Sequence, residues 1–158
     1  MFLFDTHMGH ATALVQLKRR EDAVKDWKRM RELSAGQPHI NMRLYRPSPL
    51  AHLGEHAQAT AEMATLLAEG QVQPLNLYTF AYIYARCAAG VAKDARLPPV
   101  ERQKLADKYG SRAVELLRKA QAAGYFKNPE RLARMKTNDD LDAIRARSDF
   151  QKLLLELD

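Results

Sequence analysis

The sequence predicts an all-helical protein built from stacked helical hairpins, and three observations lead to that prediction. No segment alternates apolar and polar residues between turn dipeptides, so the sequence gives no indication of strands. Apolar residues recur instead every three or four positions, as they do on one face of an α-helix. A shift of 36 residues superposes the chain on itself, matching Trp27 with Met63 and Met30 with Leu66. One hairpin of two helices is therefore used more than once.

Length and composition limit the class of protein further. A chain of 158 residues with a hydrophobic share of 46% forms a sizeable core, and we expect a single domain over residues 1–158. The one cysteine, Cys87, excludes an internal disulfide and favours a reducing compartment. The start of the chain lacks the pattern of a signal peptide, and no segment is apolar enough to predict a membrane span. We therefore expect a cytoplasmic protein.

The first hairpin is predicted from helices over Thr6–Leu17 and Glu21–Ser34, ended by Gly36-Gln37-Pro38. The second hairpin has its breaks at comparable places, at Gly54 in the middle and at Gly70 to Pro74 at the end. Pro47 and Pro49 lie inside its first helix, and we expect them to interrupt that helix.

The third hairpin is predicted to be longer than the other two. Its helices span about Leu75–Lys93 and Pro98–Ala123, with Leu97-Pro98-Pro99 at the turn between them. Cap residues then predict three short helices, which start near Asn128-Pro129, near Asn138 and at a capping box over Ser148–Gln151. These helices have apolar faces, so we expect them to cover the last long helix as a C-terminal cap.

The hairpins resemble the tetratricopeptide repeat, a helix-turn-helix unit of about 34 residues. Its pattern places a small and a large residue three apart in the first helix and four apart in the second. The matching residues are Ala11, Leu14, Ala23 and Trp27 in repeat one (about 5–38), Pro47, Leu50, Ala59 and Met63 in repeat two (39–74), and Tyr78, Ala81, Tyr84, Ala113, Leu117 and Ala120 in repeat three (75–124), with the cap at 125–158. Pro47 departs from the pattern.

A narrower resemblance rests on the region from Leu105 through Leu157 and covers almost the whole chain, including the hairpins before it. The stretches Arg112–Leu117, Ala123–Phe126 and Asp149–Leu154 resemble the C-terminal repeat regions of bacterial serine/threonine protein kinases of the planctomycete type. The glycine-rich loop, lysine and aspartates that phosphoryl transfer requires are missing from this sequence. The resemblance therefore implies a docking or regulatory module of a kinase system and no catalysis in this chain.

Other chemistry is not predicted. The pairs His7 with His10 and His52 with His56 have spacings found in metal sites, but neither belongs to a larger ligand motif, so we predict no metal and no cofactor. Cys87 lies on an apolar helix, where packing is the commoner role. The basic cluster Lys18-Arg19-Arg20 leaves an alternative open, a basic helical nucleic-acid-binding protein. Acidic residues alternate with the basic ones after it, which favours a solvated helix face.

The leading interpretation is a protein that binds a peptide or another protein in a concave groove. In tetratricopeptide arrays the first helix of each hairpin lines that groove, and the resemblance implies the positions Met8, Thr12, Gln16, Leu44, Ser48, His52, Tyr78, Tyr82 and Arg86. Tyrosines would anchor the ligand, and Arg86 would pair with one of its carboxylates. Replacing Tyr82 or Arg86 should then leave folding intact. The alternative is that Tyr78 and Tyr82 are buried by the terminal helices or by the interrupted helix of repeat two, with no open groove.

Overall fold

The computed structural model describes residues 2–36, 40–70 and 72–157, and every regular element within these ranges is a helix. The all-helical class predicted from the sequence is confirmed. The chain divides into two compact units, Met1–Ala68 and Glu69–Asp158. The single domain predicted for residues 1–158 stays a prediction.

The first unit contains the first two predicted hairpins. Its helices within the described residues are α1 (Phe2–Gln16), α2 (Arg20–Ser34), α3 (Ile40–Tyr45), α4 (Pro47–His52) and α5 (His56–Ala68). Helix α1 packs along α2, and α4 packs against both α2 and α5. The core of the first hairpin consists of Phe4, Ala11, Leu14, Ala23, Trp27 and Met30, while Ala59 and Met63 are fully buried in the second.

Helix α1 begins four residues before the start predicted at Thr6. The Thr6 hydroxyl donates a hydrogen bond to the Phe2 carbonyl 2.9 Å away, so Thr6 lies inside the helix and does not cap it. Phe4 extends the buried stripe of the helix by one turn and is almost fully buried. Packing of Phe4 therefore decides where α1 begins, since a residue in the first turn gains little from helix propensity alone.

The first helix of the second hairpin is interrupted, as the two prolines predict. Helix α3 ends at Tyr45, and α4 starts at Pro47, so both Pro47 and Pro49 lie in the first turn of α4. The amide hydrogens of that turn have no acceptor within the helix, and prolines are therefore tolerated there. Both prolines are buried, which fits a break that is part of the packed unit.

Glycine ends the second helix of both hairpins. Gly36 and Gly70 have φ angles of +68° and +70°, in the left-handed region that residues with a Cβ rarely adopt. The predicted stops at these glycines are therefore supported. The residues expected to follow them, Gln37-Pro38 and Gln71, lie outside the described residues.

The second unit is organised around its two long helices. Its elements are α6 (Pro74–Ala92), α7 (Pro99–Ala122), a 3-10 turn (Tyr125–Lys127), α8 (Pro129–Thr137), a second 3-10 turn (Asp139–Leu141), α9 (Asp142–Arg145) and α10 (Ser148–Leu157). The bounds of α6 and α7 agree with the prediction to within one residue at each end. These two helices pack along each other, and Ala81, Ala113 and Leu117 are fully buried.

The part of the chain from Tyr125 to Leu157, called the C-terminal segment below, packs on both α6 and α7. It inserts fully buried apolar residues, namely Met135, Leu141, Ile144, Phe150 and Leu153. The segment is therefore part of the core of the second unit and covers α6 as well as the last long helix.

Two of the three predicted caps are confirmed. The Asn128 side chain accepts hydrogen bonds from the amides of the first turn of α8, and the Asn138 side chain accepts one from the Asp140 amide. The capping box predicted at Ser148 is wrong. The Gln151 side chain donates to the Arg145 carbonyl, because Gln151 faces the preceding turn of the chain.

The close packing of α6 and α7 generates a prediction about Ala113. Ala113→Leu adds three heavy atoms at a fully buried position, so we expect it to lower the free energy of unfolding by about 1–3 kcal/mol. Ala122→Leu is the matched control, because Ala122 is exposed on the same helix. Urea unfolding of the two variants beside the parent chain measures the difference. Equal stability of the Ala113 and Ala122 variants would show that α6 and α7 leave space at this crossing.

Candidate functional site

The predicted groove residues of α1 differ in their accessibility. Thr12 and Gln16 are exposed, and the Thr12 hydroxyl donates to the Met8 carbonyl 2.8 Å away. Met8 is half-buried and packs against the core of the first hairpin. On α1, therefore, Thr12 and Gln16 are exposed, with the Thr12 hydroxyl hydrogen already used within the helix, while Met8 contributes to packing.

The predicted residues of the second hairpin lie on α3 and α4. Leu44, Ser48 and His52 are all half-buried. The imidazole of His52 stacks on the indole of Trp27, with 4.1 Å between the ring centroids and 7° between the planes. This stacking fixes the position of His52 at the edge of the hydrophobic core, and Trp27 itself is a core residue.

In the second unit, Tyr78 is buried under the C-terminal segment. Its ring stacks on that of Tyr125 at 5.4 Å and meets the edges of Phe126 and Tyr82. Its hydroxyl accepts a hydrogen bond from the Asn138 side chain at 3.0 Å. Burial raises the pKa of the Tyr78 hydroxyl, and the hydrogen bond from Asn138 opposes that effect. Tyr78 therefore joins α6 to the C-terminal segment.

Arg86 forms an ion pair with Asp140, a residue of the same chain. Only 11% of the Arg86 side chain is exposed, and its Nε is buried without a hydrogen-bond acceptor among the described residues. From the sequence, Arg86 was expected to pair with a carboxylate of the ligand, whereas in the structure it pairs with Asp140 of the same chain. Residues 86 and 140 are distant in sequence, so helical spacing gave no sign of this contact.

The alternative in which Tyr78 and Tyr82 are both buried holds for Tyr78 and in part for Tyr82. Tyr78 is buried, and Tyr82 is half-buried beside it. The polar tip of Tyr78 and the guanidinium of Arg86 are engaged by Asn138 and Asp140, both from the C-terminal segment. Among the predicted positions, Thr12 and Gln16 of the first unit are therefore the exposed ones.

A polar cluster that the sequence did not reveal joins the two helices of the first hairpin. Nδ1 of His7 lies 2.7 Å from one carboxylate oxygen of Asp26, and Nδ1 of His10 lies 2.8 Å from the other. Asp26 is one of the few buried polar residues of the described chain. Burial acts to raise the pKa of Asp26, but the hydrogen bonds and positive charge of the two histidines outweigh it, so the pKa is lowered.

One signal in the sequence could have located this cluster. Asp26 lies between Ala23 and Trp27 on the apolar stripe of α2, where a carboxylate is costly unless it has partners. Nδ1 of each imidazole contacts the Asp26 carboxylate, and these two contacts link α1 to α2. Within the described residues, no group of three or more His, Cys, Asp or Glu side chains is arranged to hold a metal ion.

Three arginines of the first hairpin form ion pairs with carboxylates. Arg19 contacts Asp22, Arg29 contacts Glu32, and Arg31 contacts Glu55. Ion pairs of this kind reduce the positive charge available to phosphates. The arrangement favours the solvated helix face over the nucleic-acid surface.

Cys87 is buried on α6, in agreement with the packing role predicted for it. Burial raises the pKa of its thiol to about 12, so the nucleophilic thiolate is not formed at neutral pH. Across the described ranges, no helix combines the length and apolar character of a membrane span.

Comparison of the chain with models of known protein families, with curated proteins and with solved structures finds no match.

The Arg86 ion pair leads to a prediction that reverses the one made from sequence. We expect Arg86→Ala to lower the free energy of unfolding by about 3 kcal/mol, because it leaves Asp140 partly buried without its partner. Arg29→Ala is the control, since both Arg29 and its partner Glu32 are more than half exposed and the loss of this pair should change stability little. Urea unfolding compares the two variants. Similar small effects would mean that the Arg86 pair is screened by solvent.

The Asp26 cluster makes stability depend on pH. The lowered pKa of Asp26 means that its contribution is present above the unfolded value of about 4 and is lost as the pH falls through the lower, folded value. We expect Asp26→Asn to destabilise the chain by about 2 kcal/mol at pH 7, with the difference shrinking below pH about 4. Asp22→Asn, at an exposed ion pair, is the control. A difference independent of pH would contradict this assignment.

Proposed function

We propose that the chain is a non-catalytic protein-interaction module of the tetratricopeptide type. The observation that supports it is the burial of every residue that matches the repeat pattern, small and large alike. These residues are Ala11, Leu14, Ala23, Trp27, Pro47, Leu50, Ala59, Met63, Tyr78, Ala81, Tyr84, Ala113, Leu117 and Ala120. In such repeats the small residues allow close contact between helices, and the large ones fill the space beside them.

The ligand-binding surface in this proposal lies on the first unit. Thr12 and Gln16 are exposed there, and Leu44, Ser48 and His52 are half-buried. The hydroxyl oxygen of Thr12 and the amide of Gln16 suit the backbone hydrogen bonds of a peptide, and Leu44 suits its small apolar side chains. In this proposal Tyr78 and Arg86 stabilise the fold and do not bind the ligand, since residues of the C-terminal segment already contact them.

The partner is a peptide or protein. The resemblance to the C-terminal repeat regions of serine/threonine kinases suggests that this partner belongs to a kinase system. Catalysis is not part of the proposal. Cys87 is buried with a raised pKa, and the imidazoles of His7 and His10 both contact Asp26.

Selection from a displayed peptide library tests the proposal. A peptide selected by the parent chain should lose at least tenfold in affinity, about 1.4 kcal/mol, with Thr12→Arg or with Gln16→Arg. Both positions are exposed, so the thermal stability of these variants should stay near that of the parent. Thr65→Arg, at an exposed position of α5, is the matched control and should bind normally.

Two results would contradict the proposal. One is equal affinity of all three arginine variants for the selected peptide, which would place binding elsewhere. The other is tight binding of duplex or single-stranded nucleic acid with a steep dependence on salt, which would support the alternative of a nucleic-acid-binding protein.

A further inference from the structure

One face of α1 is apolar and open to solvent. It is formed by Phe2, Thr6, Gly9, Ala13 and Leu17, which follow one another at helical spacing and are all exposed; we call it the α1 outer face. Phe2 is 84% exposed and Leu17 67%, and Leu3 at its margin is 57% exposed. Leu17 follows the last residue of α1 and still bonds to the Ala13 carbonyl. Large apolar side chains this exposed indicate a contact surface when they share one face.

The hydroxyl group of Thr6, the one polar side-chain group among these five residues, adds little polarity to the α1 outer face. The hydroxyl of Thr6 is used within the helix, on the Phe2 carbonyl, so that Thr6 can present its methyl group outward. A Cβ added to Gly9 would meet no atom within 4 Å, so the middle of the face is open to close approach.

Helix α2 of the same hairpin shows what a solvated face looks like in this chain. Every exposed side chain that is described on α2 is charged, namely Glu21, Asp22, Lys25, Lys28, Arg29 and Glu32. The exposed positions of α1, by contrast, include a single Asp, Glu, Lys or Arg residue, which is Asp5. The two helices have similar lengths and pack on the same core, so neither feature accounts for the difference between their outer surfaces.

We propose that the α1 outer face binds the same face of a second copy of this chain, with the two α1 helices antiparallel. In that register Phe2 of each copy meets Leu17 of the other, and Thr6 meets Ala13. Gly9 of each copy lies next to the two-fold axis, where the helices approach most closely. An interface in which residue i contacts residue j, and j contacts i, is the form that a symmetric dimer requires.

Charge complementarity supports a second copy and sets the direction. Asp5 lies near the start of α1, and Lys18 and Arg19 follow its end. The antiparallel arrangement brings Asp5 of one copy to within about one helical turn of Lys18 of the other. It also sets the dipoles of the two helices in opposite directions, whereas a parallel pair would align like charges and like dipoles.

Sedimentation equilibrium over a wide range of concentrations tests the dimer. We expect the apparent mass to rise from the 18.0 kDa of the monomer toward twice that value. The dissociation constant should be micromolar or weaker, because one helix face is smaller than a standard interface. A parent chain that stays monomeric throughout would overturn the proposal.

A pair of matched variants tests the face. Ala13→Arg places a charge in the interface and should weaken association at least tenfold. Ala64→Arg makes the same change at an exposed alanine of α5 and should associate like the parent. Equal association of both variants would overturn the assignment of the dimer contact to α1.

Disulfide formation tests the direction of the helices. Gly9→Cys should cross-link two copies on mild oxidation, because the two positions lie next to the axis. Gln16→Cys should not, because in the antiparallel register its two positions are about 20 Å apart along the helices. The native Cys87 is buried and does not compete. Cross-linking of the Gln16 variant, or an associated Gly9 variant that fails to cross-link, would overturn the antiparallel arrangement.

The dimer and the proposed peptide binding can fail separately. Thr12 lies outside the outer face, whereas Gln16, seven residues after Gly9, borders it, so the Thr12 variant is the one that separates the two proposals. Loss of peptide affinity in the Thr12 variant with normal association would leave the dimer standing, and the reverse result would leave the peptide site standing.

Discussion

Close contact between helices at buried small residues is the constraint on which the rest of the structure depends. Ala23, Ala59, Ala81 and Ala113 are fully buried, and each belongs to a helix that packs along or against its neighbours. A larger side chain at such a position would separate the helices and lose contacts along their length. The large residues beside them, such as Trp27, then fill a space whose shape is set by the alanines.

Each unit adds one buried polar arrangement to this apolar packing. In the first, Asp26 accepts from two histidines and ties α1 to α2. In the second, Arg86 and Asp140 tie α6 to the C-terminal segment. Such groups are expensive to bury without partners, so they restrict which elements can pack together. Because these groups are already paired, the proposed ligand surface uses the exposed side chains of α1.

Much of the fold could be predicted from the sequence, because local patterns define it. The bounds of α6 and α7, the interruption at Pro47 and the caps at Asn128 and Asn138 follow from helical periodicity and from backbone chemistry within a few residues. The start of α1 was predicted too late, since packing of Phe4 extends that helix. The tetratricopeptide arrangement is supported by the buried repeat positions and stays a proposal, as does the single domain.

The sequence alone determined the helical class, the long hairpin of α6 and α7, and the presence of an apolar C-terminal segment, because each depends on residues a few positions apart. Only the tertiary structure decided which surfaces stay open. Asn138 contacts Tyr78, and Asp140 pairs with Arg86, across more than half the length of the second unit in sequence. No local pattern encodes such contacts, since they arise when the apolar residues Leu141 and Ile144 bring the segment onto α6. Burial of distant residues against one another therefore decided which predicted binding residues became part of the core.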